Sequence, residues 1–157
     1  MELVLNIREN LYIVCNKIIS YETEVAIIGE TEIVKMGKFS RTTGRHITLV
    51  SGLLGKPVVE SSRRIEFDKL HYGAKCRYHD SLSISTSCSI INELATGVNL
   101  MTACARVWPG LRGKDRSKIE EYYSNSERSE EWERLVTMAS LGILITDELP
   151  DLSKISI

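Results

Sequence analysis

Residues 40–57 contain both a helix start signal and a helix stop signal, so the bounds of one helix can be predicted from the sequence. Ser40 suits the N-cap position, where its hydroxyl accepts a hydrogen bond from an unpaired backbone N–H group. Gly55 suits the left-handed position after a helix, and Pro57 cannot continue one. We therefore predict one helix over residues 41–54, packed against whatever the preceding residues form.

This predicted helix has two different sides. Helical spacing gathers the apolar residues, together with one histidine, into an arc that should face a core. The opposite side should be solvated and basic. The arc contains His46, Ile47, Val50, Leu53 and Leu54, and the outer stripe contains Arg41, Arg45, Thr48 and Gly52.

The residues before the helix alternate between apolar and polar, as strands with one buried face do. The strictest alternation covers residues 18–28, for which we predict a single strand. Gly29-Glu30 then fits a two-residue hairpin turn with a positive φ at Gly29. We predict a short strand at residues 57–60 after the helix. We predict another over residues 81–87, where serine occupies every second position.

The rest of the chain has helical periodicity. We predict one helix over residues 89–108, a charged helix or loop over 112–123, a helix from Ser129 to about Gly142, and a return to the sheet at 143–145. The predicted fold is a single α+β domain over 1–157. An N-terminal antiparallel β-meander with one packed helix (1–86) precedes a mainly helical part (87–157).

Composition bounds the cellular setting. No apolar run approaches the roughly 20 residues that span a bilayer, and the N-terminus lacks the basic region of a signal peptide. The four cysteines contain no Cys-x-x-Cys pair, which favours reduced, mostly buried thiols. We therefore expect a cytoplasmic protein with no membrane partner and no cofactor.

The charges are unevenly distributed along the chain. Residues 1–34 sum to −4, residues 35–77 to +7, and residues 78–157 to −4. Such asymmetry can mark a face that binds an anionic partner, although a mixed surface with mutually attracting parts explains the same numbers. If the cations converge, the predicted binding residues are Lys38, Arg41, Arg45, Thr48, Lys56, Arg63 and Arg64.

A metal site is an alternative use of the middle of the chain. Zinc accepts the imidazole and thiolate ligands that occur there, but the spacing matches no common zinc finger, and a polar loop explains the same residues. The candidate ligands are His71, Cys76, His79 and Cys88.

Two His-x-Ser/Thr triplets occur, His46-Ile47-Thr48 and His79-Asp80-Ser81. They resemble the paired triplets of the two-histidine phosphoesterases, which act on a cyclic or 2′-phosphate. The resemblance implies that His46 and His79 would be the acid–base pair and that Thr48 and Ser81 would bind phosphate. A small phosphoester-acting enzyme is thus the alternative function, and the sequence leaves catalysis open while favouring a non-enzymatic protein.

A second resemblance covers residues 18–60. The run Tyr21 to Ala26, followed by Ser40 to His46, is similar to a Tyr-x-Thr-x-Val-Ala strand and a Ser-x-Thr-Thr-x-x-His helix start in small uncharacterised bacteriophage proteins. It implies a phage accessory protein in the host cytoplasm. We expect a non-enzymatic binding protein whose basic face (35–77) engages nucleic acid, a nucleotide or an acidic host protein. A structural or assembly homo-oligomer stays open.

Overall fold

The computed structural model describes residues 2–60 and 81–147. Within these residues, six strands form one sheet in chain order, with antiparallel pairing up to the last pair, which is parallel. A helix, α1 (Arg41–Leu54), makes the crossover between the two parallel strands. The α+β class and the packed helix are therefore confirmed. The strands are β1 (Val4–Arg8), β2 (Leu11–Val14), β3 (Lys17–Ser20), β4 (Thr23–Ile28), β5 (Ile33–Lys35) and β6 (Val58–Glu60).

The predicted single strand over residues 18–28 is wrong, because the chain reverses direction at Tyr21 and Glu22. Ser20 pairs with Thr23 across the antiparallel β3–β4 hairpin, and Tyr21 adopts a left-handed φ of +60°. Neither turn residue belongs to the glycine, asparagine and aspartate group that usually signals a tight turn. The alternating pattern therefore continued across the turn without a visible break.

The next hairpin also differs from its prediction. Ile28 pairs with Ile33, so the connection has four residues, and Gly29 is absent from the residues with positive φ. The N–H group of Gly29 donates to the Glu32 carbonyl at 2.7 Å. A Cβ atom at Gly29 would lie 3.0 Å from that oxygen, so glycine serves a close approach here and not a left-handed turn.

The C-terminal part is helical, as predicted, but it starts at Ile84 and not at residue 87. The predicted strand over 81–87 is wrong because Ser83 caps a helix there, accepting the N–H of Thr86 at 3.3 Å. The predicted helix over 89–108 is two helices, separated at residues 95–99. Residues 143–145 form no strand. The helices are α2 (Ile84–Leu94), α3 (Leu100–Val107), α4 (Gly113–Ser124) and α5 (Ser129–Ser140), with a 3-10 turn (Trp108–Gly110) after α3.

One main core joins the sheet to the helices. Helix α1 contacts β3 and β4, α2 contacts β1, and α3 packs against α2 and α5. Aliphatic side chains of the sheet, such as Leu5 and Ile13, face these helices, while Val4, Val14 and Ile19 form a smaller cluster of their own. In the described ranges 2–60 and 81–147, no helix combines the length and the apolar character needed to cross a bilayer.

Candidate functional site

Helix α1 begins and ends where its local signals predict. The Ser40 hydroxyl accepts the N–H of Thr43 at 3.3 Å, and Gly55 adopts a φ of +67° at the C-terminal end. Both caps satisfy backbone groups that a helix end leaves unpaired. The bounds of α1 are thus fixed by its caps, and its packing on the sheet decides which of its side chains are exposed to solvent.

The outer side of α1 carries the predicted basic stripe. Arg41, Arg45 and Thr48 are exposed, and Lys38 is exposed just before the helix. The Thr48 hydroxyl donates to the Gly44 carbonyl at 3.0 Å, so it supports the helix backbone. The two arginines are thus presented one helical turn apart on the surface.

The inner side of α1 contains a buried polar network that spans the helix and the sheet. The Nδ1 atom of His46 lies 2.7 Å from the hydroxyl of Ser20, the last residue of β3. The same hydroxyl lies 3.1 Å from that of Thr43. His46, Ser20 and Thr43 are 5%, 2% and 7% exposed, so their hydrogen bonds replace the water they lost on burial.

The pKa of His46 depends on its burial and on a nearby arginine at this end of the sheet. Burial lowers the pKa of His46, and the positive charge of Arg8 at the end of β1 lowers it further. The ring of Tyr21 lies 5.8 Å from that of His46. Near neutral pH the imidazole is therefore neutral, and the positive charge here comes from the arginines and from Lys38. We call the surface formed by Arg8, Lys38, Arg41 and Arg45 the basic end.

Two acidic residues moderate the basic end. Glu9 and Glu22 are exposed in the turns after β1 and β3. Those turns meet, because the N–H of Tyr21 donates to the Asn10 carbonyl at 2.7 Å. Among the described residues, the four cations of the basic end therefore lie near these two exposed carboxylates.

Lys56, another predicted binding residue, does not join this surface. Lys56 follows the C-terminal end of α1, about 20 Å from its start at 1.5 Å per residue, and its ammonium donates to the Gly29 carbonyl at 2.7 Å. Lys56 therefore lies apart from the basic end, and its part in binding an anionic partner stays a prediction. Arg63 and Arg64 lie outside the described residues.

The geometry at α1 does not resemble a phosphoesterase triplet. His46 is buried while Thr48 is exposed, since residues two apart on a helix point about 200° apart. They cannot converge on one phosphate. The second proposed catalytic residue, His79, lies outside the described residues.

Of the four candidate zinc ligands, Cys88 lies within the residues that the structure describes. Cys88 lies in α2, and its thiol donates to the Ile7 carbonyl at 3.7 Å. His71, Cys76 and His79 lie outside the described residues. Within 2–60 and 81–147, no three candidate ligands gather in a geometry that could hold a metal ion.

One polar site that the sequence did not suggest ties α4 to α2. The Asp115 carboxylate accepts the N–H of Ser83 at 3.0 Å and the hydroxyl of Thr86 at 2.6 Å. Burial would raise the pKa of Asp115, but hydrogen bonds from Ser83 and Thr86 and the charge of Lys118 hold it below its usual range. Because Asp115 accepts hydrogen bonds from Ser83 and Thr86 at the start of α2, it stabilises that helix start.

A second unpredicted feature lies at the C-terminal end of α1. A cavity of about 530 Å³ opens between the Cys15–Asn16 turn, the end of α1 and the connection between α2 and α3. It arises where three elements stop, so no single stretch of sequence signals it. We call it the aliphatic cavity, after lining residues such as Leu5, Ile13, Leu54 and Val98.

The fold and both ends of α1 define an α+β protein with a β-meander and one crossover helix. Residues 6–69 match the model of a family of unknown function, DUF8033. The match includes all of α1 and most of the sheet, and it ends before the helical part. No curated protein and no solved structure matches the chain.

Proposed function

We propose that the protein is a non-enzymatic binding protein whose basic end engages an anionic partner. The observation that carries the proposal is the exposure of Arg41 and Arg45 on one stripe of α1, with Lys38 beside them and Arg8 at the adjoining sheet end. Four cations around one helix start attract negative charge in a way that scattered surface cations do not.

The helix itself adds to this attraction. The N-terminal end of α1 carries the positive pole of the helix dipole, which favours anions nearby. Its first turn contains no acidic residue. Ser40 satisfies one backbone donor, and the remaining polarity of this end adds to the charge of Arg41.

The chemistry of the basic end suits a partner with repeated negative charges, such as nucleic acid, or an acidic protein surface. Arginine pairs well with phosphate and carboxylate because its planar donors bind two oxygens at once. A nucleotide is the smallest partner of this class. The phage origin and the host cytoplasm rest on the motif resemblance and stay predictions.

A salt-dependent binding assay tests the proposal. Fluorescence anisotropy with labelled duplex and single-stranded oligonucleotides, and with an acidic peptide, would be measured between about 50 and 200 mM salt. We expect Arg41→Glu plus Arg45→Glu to weaken binding at least tenfold. Each lost phosphate contact should also reduce the salt slope by about 0.9 for duplex DNA.

The matched control is Arg112→Glu plus Lys114→Glu, which changes the net charge equally at exposed residues near the start of α4. Binding should survive in this control, because only the location of the charge differs. Equal weakening in both double variants would show a general charge effect and remove the proposal. Affinity that is unchanged in the Arg41/Arg45 variant and insensitive to salt would remove it too.

A further inference from the structure

The aliphatic cavity lies at the opposite end of α1 from the basic end and has a different chemistry. Leu5 and Ile13 of the sheet, Leu54 of α1 and Val98 of the α2–α3 connection form its interior. The described lining residues include no aromatic side chain. Such walls favour an aliphatic chain and offer no stacking surface to a nucleobase.

The size of the cavity limits the occupant. Its volume of about 530 Å³ corresponds to roughly 18 groups of the size of water, at about 30 Å³ each. This lies within the usual range of small-molecule sites. An aliphatic chain of about ten carbons with a polar head fits that space without filling it completely.

The mouth of the cavity carries one cation, Lys56, among the described lining residues. Its ammonium donates to the Gly29 carbonyl at 2.7 Å, which holds it beside the opening. An ammonium has three donors, so it can bind the head group of a ligand without releasing Gly29. A carboxylate is a head group with which this ammonium forms a charge-assisted hydrogen bond.

Two acidic residues among the described lining residues, Glu30 and Asp147, restrict the charge of the head group. The Asp147 carboxylate accepts the N–H of Asn99 at 3.0 Å and 2.8 Å, at the start of α3, where the helix dipole offsets part of its charge. Glu30 is exposed in the β4–β5 loop. A dianionic phosphate would be repelled by both, whereas a single carboxylate near Lys56 meets less repulsion.

We propose that the aliphatic cavity binds an aliphatic monocarboxylate of medium chain length, with its chain among the interior side chains and its carboxylate on Lys56. The site is independent of the basic end, since the two lie at opposite ends of α1. Binding of a carboxylate in the aliphatic cavity and binding of an anionic partner at the basic end can therefore be measured separately.

The first test uses decanoate as the probe and isothermal titration calorimetry on the full chain. Lys56→Met should weaken decanoate binding about tenfold and leave decanol binding unchanged, because only the carboxylate loses its partner. Lys38→Met is the matched control, since it removes an exposed lysine before α1, and it should not alter decanoate binding. Equal decanoate affinity in wild type and Lys56→Met would overturn the assignment of the head group.

The second test fills the cavity. Val98→Phe should abolish binding of both decanoate and decanol, with folding checked by circular dichroism. If this variant does not fold, methyl chemical shifts of Leu54 and Val98 in the wild-type protein decide the question, because decanoate in the cavity must perturb them. Decanoate that binds a folded Val98→Phe normally, or that leaves those methyl groups unperturbed, overturns the proposal.

Discussion

The space between α1 and the sheet is filled differently at the two ends of the helix. At its start, polar side chains fill the space between helix and sheet, and Ser20, Thr43 and His46 hydrogen-bond one another. At its end, the helix stops above aliphatic residues such as Leu54, and a cavity of about 530 Å³ remains. One helix therefore has a closed polar end and an open apolar end.

The difference follows from which elements meet at each end. The turns after β1 and β3 come together beside the start of α1, since the Tyr21 N–H donates to the Asn10 carbonyl. At the other end, α2 has already finished and α3 has not begun, so residues 95–99 span the gap. Closed packing leaves charge recognition to the surface, while open packing leaves room for a ligand inside.

We expect the largest effect on the free energy of unfolding when one leucine at each end of α1 is truncated to alanine. Leu11 at the closed end is 0% exposed, and Leu54 lines the cavity and is 7% exposed. We expect Leu11→Ala to cost about 3–5 kcal/mol of unfolding free energy and Leu54→Ala about 2–3 kcal/mol. Part of the Leu54 side chain already borders empty space, so fewer contacts are lost.

Urea unfolding of wild type and both variants, followed by circular dichroism, measures this difference. The dependence of the free energy on urea should stay the same in all three, which would show that the folded and unfolded states remain comparable. Equal costs, or a larger cost at Leu54, would mean that the cavity is filled in solution and that the ends do not differ as described.

The second prediction concerns the polar network of the closed end. Ser20→Ala leaves the Nδ1 atom of buried His46 without this partner, which should cost about 1–3 kcal/mol. The control is Ser40→Ala, which removes the exposed cap of the same helix and should cost about 1 kcal/mol. Thermal and urea unfolding compare the two, and a Ser20→Ala cost no larger than the cap's would show that water reaches His46.

The sequence predicted the bounds of α1 because the signals for them are local. Ser40 and Gly55 cap the helix as predicted, and His46, Ile47, Val50 and Leu54 of the predicted arc are buried. Leu53 is only partly buried, and the burial of Thr43 was not predicted. The meander is confirmed for the same reason. The turn at Tyr21 was missed because its residues carry no turn signal.

The polar network and the start of α2 could not be predicted because their partners are distant in the chain. Ser20 and His46 lie 26 residues apart, and Ser83 and Asp115 lie 32 apart. The serine row over 81–87 alternates as a strand does. A helix forms there because Ser83 caps it and Asp115 holds that cap, and nothing in the row indicates the carboxylate.

The smallest predicted effect is the pH dependence that His46 gives to the closed end. Its pKa is lowered in the folded protein by burial and by Arg8, while the unfolded chain titrates near about 6.5. Below about pH 6.5 the unfolded state therefore binds more protons, so the free energy of unfolding falls as pH falls toward the lowered pKa. Above that range the contribution is constant.

The comparison of wild type with His46→Gln isolates this contribution. Both proteins contain His71 and His79, so only the difference between the two stability curves belongs to His46. Urea unfolding between pH 5 and 8 should show that difference shrinking as the pH falls below about 6.5. Parallel curves would mean that the His46 imidazole meets the same surroundings folded and unfolded, and the closed end would then be as open to water as the cavity end.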